Sequence, residues 1–275
     1  MKPTLLPFGK IAPAELASEE VAAASARDWG AEPHAAESRP AIAPPRPMSR
    51  VLPVDPLHLE SERILSAGAR ERQGLPYKML RTQVLRRLDK LGVNSLAVVG
   101  ASSATGKTLT AINLAITIAA DPERTSLLID LDLRKPSIHR RLGIDPVVGI
   151  DDCLRGLRPL TEALVRIDGY ERFAVLPARE RSLDSSELLS SRRTQELIHE
   201  IRNRYRDRVV MFDLPPVLQA DDALAFARHV QAVLVVVGEG KTRRDDLVRT
   251  LELLRDVPII GTVLNGTREA VDSYY

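Results

Sequence analysis

The sequence predicts an α/β fold: a doubly wound, mostly parallel sheet with helices on both faces. Short β-branched apolar runs alternate with helical patterns from about Pro76 onward. Those runs are apolar on both faces, as strands covered on both sides must be. A third observation concerns the stretch GASSATGKT, residues 100–108, which lies between one such run and a long helical pattern.

In chain order, YKMLRTQVLRRLDKL carries apolar residues at 77, 80, 84, 88 and 91, the spacing of an amphipathic helix. Strands are expected at 95–100, 126–132, 172–177, 209–213, 232–238 and 258–265. Helices are expected at about 107–120, 150–155, 160–166, 186–206, 220–229 and 243–256. One domain, residues 76–265, contains these elements, and residues 266–275 form a flexible tyrosine-bearing tail. Ten of the 19 prolines fall in residues 1–56, where apolar periodicity is poor. Residues 1–60 are therefore expected to be a disordered Pro/Ala-rich extension with an extended, polyproline-leaning stretch, apart from a short amphipathic piece near 13–27.

Composition excludes several classes. Lys and Arg (39) nearly balance Asp and Glu (37) for a net charge of +2, and the basic residues are interspersed with acidic ones. That pattern describes solvated helix faces and no nucleic-acid partner is expected, the Arg-rich IRNRYRDR at 201–208 included. Cys153 is the single cysteine, so neither a disulfide framework nor a thiol metal site is available; it reads as a half-buried apolar residue. The start MKPTLLPFGK lacks the apolar core of a secretory signal, and no run approaches the ~20 apolar residues that cross a bilayer. A cytoplasmic setting is expected, with membrane association through a partner.

Residues 101–108 satisfy the eight-position spacing of a phosphate-binding loop, with alanine at its first position and Gly106-Lys107-Thr108 closing it. A buried strand leading in and a helix leading out aim backbone N–H groups and a helix dipole at one point. Ala104, Thr105, Gly106, Lys107, Thr108 and Leu109 form the candidate nucleotide cradle. Lys107 would pair with the β- and γ-phosphates, and the Thr108 hydroxyl would bind Mg²⁺. If the Ala104 backbone needs a positive φ, its Cβ costs roughly 1–2 kcal/mol. LLIDLDLRKPSIH places Asp130 and Asp132 at one strand end, and VVMFDLPPV places Asp213 at another. Open parallel sheets bind ligands beyond those carboxyl ends. Three carboxylates beside a triphosphate require a divalent cation between them, so a nucleoside triphosphate and Mg²⁺ are expected together.

The order GKT, LLIDLDLRKPSIHRRLG, VVMFDLPPV and VLN resembles the bacterial tyrosine kinases of capsule and exopolysaccharide synthesis, within the ParA/MinD-like P-loop NTPase class. The likeness spans about residues 76–275; SSELLSS (185–191) and VLQADDALAFA (217–227) share in it. It implies Lys107 and Thr108 on phosphate and metal, and Asp130, Asp132 and Asp213 on Mg²⁺ and catalysis. Thr108, Asp130 and Asp213 are assigned to the metal, and Asp132 to the role of base. Asn265 is implied in adenine recognition, and Tyr274 and Tyr275 as phosphoacceptors on a tail of up to ~35 Å past Asn265. The implied activity is an autokinase that regulates polysaccharide polymerisation and export. Its implied partner is the cytoplasmic segment of a membrane co-polymerase at the inner membrane, with a possible homo-oligomer. The chain departs from the family pattern in two places. Ser103-Ala104-Thr105 replaces the usual Pro-Gly-Glu, and Leu75, Lys78 and Arg81 stand where Glu, Arg and Arg are usual. Two other readings are a catalytically weak ATP-binding regulator and a ParA-like positioning ATPase. Ser102 stands where the partitioning ATPases carry a second lysine, which counts against the last.

Overall fold

The structure, a computed structural model, describes residues 2–4, 50–66, 71–204 and 208–267. Six strands run parallel: β3 (Ser95–Gly100), β4 (Thr125–Asp130), β6 (Phe173–Leu176), β7 (Arg208–Asp213), β8 (Val233–Gly238) and β9 (Ile259–Thr267). Three short strands border them: β1 (Lys2–Thr4), β2 (Arg50–Leu52) and β5 (Val165–Ile167). The order across the sheet is β1-β9-β8-β3-β7-β4-β6-β5-β2. β1 is antiparallel to β9 and β5 to β6, whereas β2 is parallel to β5. From β3 the chain moves to β4 and β6 on one side, and from β7 it moves to β8 and β9 on the other. That reversal leaves a crevice beyond the carboxyl ends of β3, β4 and β7, where open parallel sheets take their ligands.

Side-chain alternation along the strands divides the interior into two cores. Leu96, Val98, Leu128, Met211, Leu234 and Val236 face α2 (Glu71–Leu91) and α3 (Lys107–Ala119). Ala97, Val99, Ile129, Val210, Phe212 and Val235 face the opposite layer. That layer holds α5 (Ile150–Leu154), α6 (Leu160–Ala163), α7 (Ser185–Ser190), α8 (Arg192–Arg204), α9 (Asp222–Ala227) and α10 (Arg244–Leu253). Phe212 and Phe226 meet edge-to-face there with centroids 5.0 Å apart. α3 is buried almost all round, from Lys107 to Ile118, because it lies between the sheet and α2.

The six expected strands and the α/β class match this architecture, with differences at the margins. β4 stops at Asp130 instead of 132, because the Asp130 carboxylate bends the chain by accepting the Asp132 N–H at 3.2 Å. The helix expected over 186–206 breaks at Ser191. That residue is extended, and its hydroxyl caps α8 by accepting the Thr194 N–H at 3.1 Å.

The stretch expected to be disordered to residue 60 holds β1, β2 and α1 (Pro56–Ser61). The prolines misled because Pro56 occupies the first turn of α1, where the missing N–H costs nothing. Asp55 caps that helix by accepting the Leu57 N–H at 2.9 Å. α1 lies against α4 (Ile138–Leu142), with His58 Nε2 3.0 Å from the Arg140 carbonyl and Arg141 paired to Glu62 at 2.8 Å. The proposed piece at 13–27 lies outside the described residues.

Behind α1 the chain is pinned to the middle of α3. Asn113, fully buried, accepts the Leu65 N–H at 2.9 Å and donates to the Arg63 carbonyl at 3.0 Å. Tyr170 donates its hydroxyl to the Leu65 carbonyl at 2.8 Å. Asn113→Ala would leave the buried Leu65 N–H and the partly buried Arg63 carbonyl without this partner, at about 1–3 kcal/mol for a fully buried group and less for the carbonyl. Urea denaturation of this variant is expected to show a loss of roughly 2–4 kcal/mol, and a loss below the error of the measurement would show that the 63–65 segment is not held by α3.

Candidate nucleotide and metal site

The register of the sheet determines the electrostatics of the crevice. Asp130 and Asp213, the last residues of β4 and β7, are direct cross-strand partners. Like charges placed opposite each other destabilise a sheet, and both carboxylates are fully buried. Asp132, one turn beyond, is also buried. Against these three stands Lys107 at the start of α3, with Nζ 3.0 Å from Asp213 Oδ1 and 3.3 Å from Asp132 Oδ2. Thr108 donates its hydroxyl to Asp213 Oδ2 at 2.7 Å. All five residues expected from the sequence to serve phosphate and metal therefore converge.

Their protonation follows from this crowding. Burial, then the neighbouring Asp213 charge, pushes the Asp130 carboxyl up to about 8, although the amides of Ile138 and Ser137 and the Lys107 charge oppose the rise. Asp213 is raised by burial against the opposing pull of Lys107 and Thr108. For Lys107 burial acts downward, but the charges of Asp213, Asp132 and Asp130 outweigh it and its pKa is raised. The ammonium is thus held in its charged form, whereas Asp130 keeps its proton near neutral pH.

The carboxylate and hydroxyl oxygens gathered here form an all-oxygen donor set, which fits a hard divalent cation. Among the described residues no group of three or more His, Cys, Asp or Glu side chains is arranged as a self-sufficient metal cage. A Mg²⁺ ion here would take few protein oxygens and complete its shell with phosphate and water, as Mg²⁺ prefers. Thr108 and Asp213 are the direct donors on offer. Both Asp130 oxygens already accept backbone N–H groups, Oδ1 from Asp132 and Oδ2 from Ser137 and Ile138 at 3.0 Å each. Asp130 therefore shapes the turn between β4 and α4 and is available to a cation mainly through water.

The loop has the form that phosphate needs. Ala104 sits at φ 60°, so the condition raised for it from the sequence is met and the strain of roughly 1–2 kcal/mol applies. Gly106 sits at φ 87°, and a Cβ there would lie 1.8 Å from Asn265 Nδ2, so only glycine fits. Thr110 N–H donates to the Gly106 carbonyl at 2.9 Å; the amides ahead of it are those a helix start leaves without helical acceptors. The Thr105 hydroxyl is buried with no partner. Leu109 is half-buried on α3 behind the cradle.

Asn265, expected at the adenine, donates its side-chain amide to the Thr105 carbonyl at 2.8 Å. Its strand, expected to end there, continues to Thr267. Tyr274 and Tyr275 lie outside the described residues, as does most of the 266–275 tail. Sequence reasoning missed Lys241, whose Nζ donates to the Ala104 carbonyl at 3.0 Å from the loop after β8. Its only signal was the turn-forming GEGKT that follows a buried strand. Arg134 is paired with Asp222 at 2.6 Å and Asp221 at 3.2 Å, which locks the segment after Asp132 onto α9. Cys153 is buried, and burial pushes its thiol up to about 12, consistent with an inert apolar role.

In nucleotide-free, metal-free protein, folded Asp130 holds its proton more tightly than the unfolded chain does. Its contribution to stability is complete below the unfolded carboxyl pKa of about 3.9 and is lost as pH rises through about 8. Urea unfolding in EDTA is expected to show stability falling from pH 6 to 9, with a shallower fall in Asp130→Asn; parallel slopes would refute the assignment. Lys107→Ala strands buried carboxylates without their cation and is expected to cost about 3–5 kcal/mol in the same assay.

The chain is 29% identical over 201 residues to tyrosine-protein kinase YwqD of Bacillus subtilis, covering 72% of this chain and 83% of that one. It is 31% identical over 199 residues to tyrosine-protein kinase wzc of Salmonella typhi, covering 72% of this chain but only 27% of that one. The chain thus spans about a quarter of the length of the larger relative. No protein-family model matches it. Among solved structures, the kinase domain of the Escherichia coli tyrosine kinase ETK superposes with a TM-score of 0.66 at 27% identity, covering 74% of this chain and 80% of that one. The cell-division protein MinD of Pyrococcus horikoshii, complexed with Mg-ADP, shares the fold with a TM-score of 0.52 at 23% identity, over 62% of this chain and 68% of that one. With the loop, the carboxylate stations and the sheet order already in place, the chain is similar in sequence to bacterial tyrosine-protein kinases and shares the fold of their kinase domain and of MinD.

Proposed function

We propose that the chain is an ATP- and Mg²⁺-dependent protein-tyrosine autokinase that transfers the γ-phosphoryl group of ATP to Tyr274 or Tyr275. The observation that carries this reading is the buried set of Lys107, Thr108, Asp130, Asp132 and Asp213 at the mouth of the loop. Thr108 and Asp213 would hold Mg²⁺, which would supply neutralisation of phosphate charge. Lys107, now held by Asp132 and Asp213, is the cation that the phosphates would draw across, and the loop amides would receive the β-phosphate. The freed Asp132 carboxylate would then accept the phenolic proton as the tyrosine oxygen bonds to the γ-phosphorus and the bond to the bridging oxygen of ADP breaks. A phenol of pKa about 10 needs such a base near neutrality. Asp130, held by three backbone amides, keeps the β4–α4 turn in register with Asp213.

The tyrosines support the tail as acceptor. Of five in the sequence, Tyr77 is buried between α2 and α3 and the Tyr170 hydroxyl is engaged with Leu65; Tyr205 lies outside the described residues. β9 runs parallel to β8 and delivers the chain past Asn265 to Thr267 on the crevice side of the sheet. Tyr274 is then within about 25 Å along the extended chain, a span that reaches the same site or that of a second copy.

The names of relatives point to the setting. Succinoglycan biosynthesis transport protein ExoP of Rhizobium meliloti is 36% identical over 178 residues, 62% of this chain and 22% of that one. The proposed setting is accordingly exopolysaccharide polymerisation and export, at the cytoplasmic face of the inner membrane beside a membrane co-polymerase. Among the described residues no helix is long and apolar enough to cross a membrane. Mass spectrometry of the purified full chain incubated with ATP and Mg²⁺ tests the activity. Phosphate is expected on Tyr274 or Tyr275, reduced at least about a hundredfold in Lys107→Ala and absent in EDTA. Nucleotide binding without any tyrosine phosphate would reject the kinase and leave an ATP-binding regulator.

A further inference from the structure

The phosphate loop of this chain is poor in glycine, yet it adopts the conformation that glycines usually supply. Two consecutive carbonyls of the loop explain how. Thr105 O accepts the side-chain amide of Asn265, and Ala104 O accepts the Lys241 ammonium. Both tethers come from the β8–β9 side of the sheet. A carbonyl held outward turns the following amide inward, so fixing two carbonyls orients the amides of Thr105 and Gly106 toward the phosphate position.

The turn that presents Lys241 is built for this approach. The Lys241 and Thr242 amides both donate to the Gly238 carbonyl, at 3.1 and 2.9 Å, and the Gly238 N–H donates to the Thr242 hydroxyl at 2.9 Å. Gly240 closes the turn at φ 65°. A Cβ on Gly238 would lie 3.1 Å from Thr105 Cα and 3.3 Å from Lys241 Cβ, so glycine is what lets β8 pass directly beneath the loop. Glu239 N–H donates to the Asn265 carbonyl at 2.9 Å, which joins the two tethering residues to each other. Lys241 is otherwise exposed and pairs with no carboxylate among the described residues.

We propose that Lys241 is a positioning residue for nucleotide binding: its ammonium, by holding the Ala104 carbonyl outward, keeps Ala104 left-handed and the loop amides aimed at phosphate. This rests on the nucleotide reading of the site, but the tether itself exists without nucleotide. The competing role is a direct contact with the terminal phosphate. A charge acting on the γ-phosphate distinguishes ATP from ADP, whereas a residue that shapes the loop affects both nucleotides equally, since the amides serve the β-phosphate that both possess.

Two measurements on the full chain test it. In nucleotide-free protein, hydrogen exchange of the amides at 103–106 is expected to quicken several-fold in Lys241→Ala and to return toward wild type in Lys241→Arg, with the thermal midpoint unchanged. Calorimetric titration with MgADP and MgATP is expected to show both affinities falling by a similar factor, on the order of tenfold, as befits one charge-assisted hydrogen bond. Unchanged exchange at 103–106 overturns the proposal, as does a loss confined to ATP. Failure of the wild type to bind either nucleotide would instead remove the function proposed for the site, while the exchange measurement still decides whether Lys241 holds the loop.

Discussion

Two carboxylates ending adjacent parallel strands face each other across the hydrogen-bonded ladder, and the rest of the crevice is a response to that juxtaposition. Asp130 and Asp213 are in register, so neither can be moved without slipping the strand that carries it. A slip of one residue would turn each strand's apolar set to the wrong core. Packing on both faces of β4 and β7 therefore enforces an unfavourable electrostatic contact at their ends. Lys107, held in place by helix α3, relieves part of it, and the proton that Asp130 retains relieves more. A divalent cation bound among these carboxylates would relieve the contact further.

Much of this was legible in the sequence because it depends on short-range rules. Strands buried on both faces read as continuous apolar runs, and their positions predicted β3, β4, β6, β7, β8 and β9 to within a few residues. Gly106-Lys107-Thr108 and the three aspartates were identifiable because they fall at strand ends, where the chemistry of an open α/β sheet is located. Whether Ala104 takes a positive φ was left open by the sequence and is answered by the structure.

What escaped notice depends on contacts distant in sequence or on competition between local bonds. Asp130 terminates its own strand by accepting the Asp132 amide, and Ser191 divides a helical pattern by capping its second half; each replaces a ladder or helix bond with a side-chain one. Asn113 reads as one polar residue in an apolar helix until residues 63–65 are seen wrapped over it. Lys241 braces the phosphate loop from a sequence separation of 137 residues, marked only by a turn pattern, and Asn265, singled out for the adenine, braces it from 160. β2 and α1 were hidden by proline content, although Asp55-Pro56 is a sound helix start.

One feature of the sheet extends beyond the crevice. Its two outermost strands, β1 against β9 and β2 against β5, both come from the first 52 residues. One arm of the polypeptide thus borders both flanks of a nine-stranded sheet roughly 40 Å wide. Exposed flanks are where sheets recruit foreign strands and polymerise. Without β1 and β2, the backbone edges of β9 and β5 would form the two outer borders of the sheet, facing opposite ways.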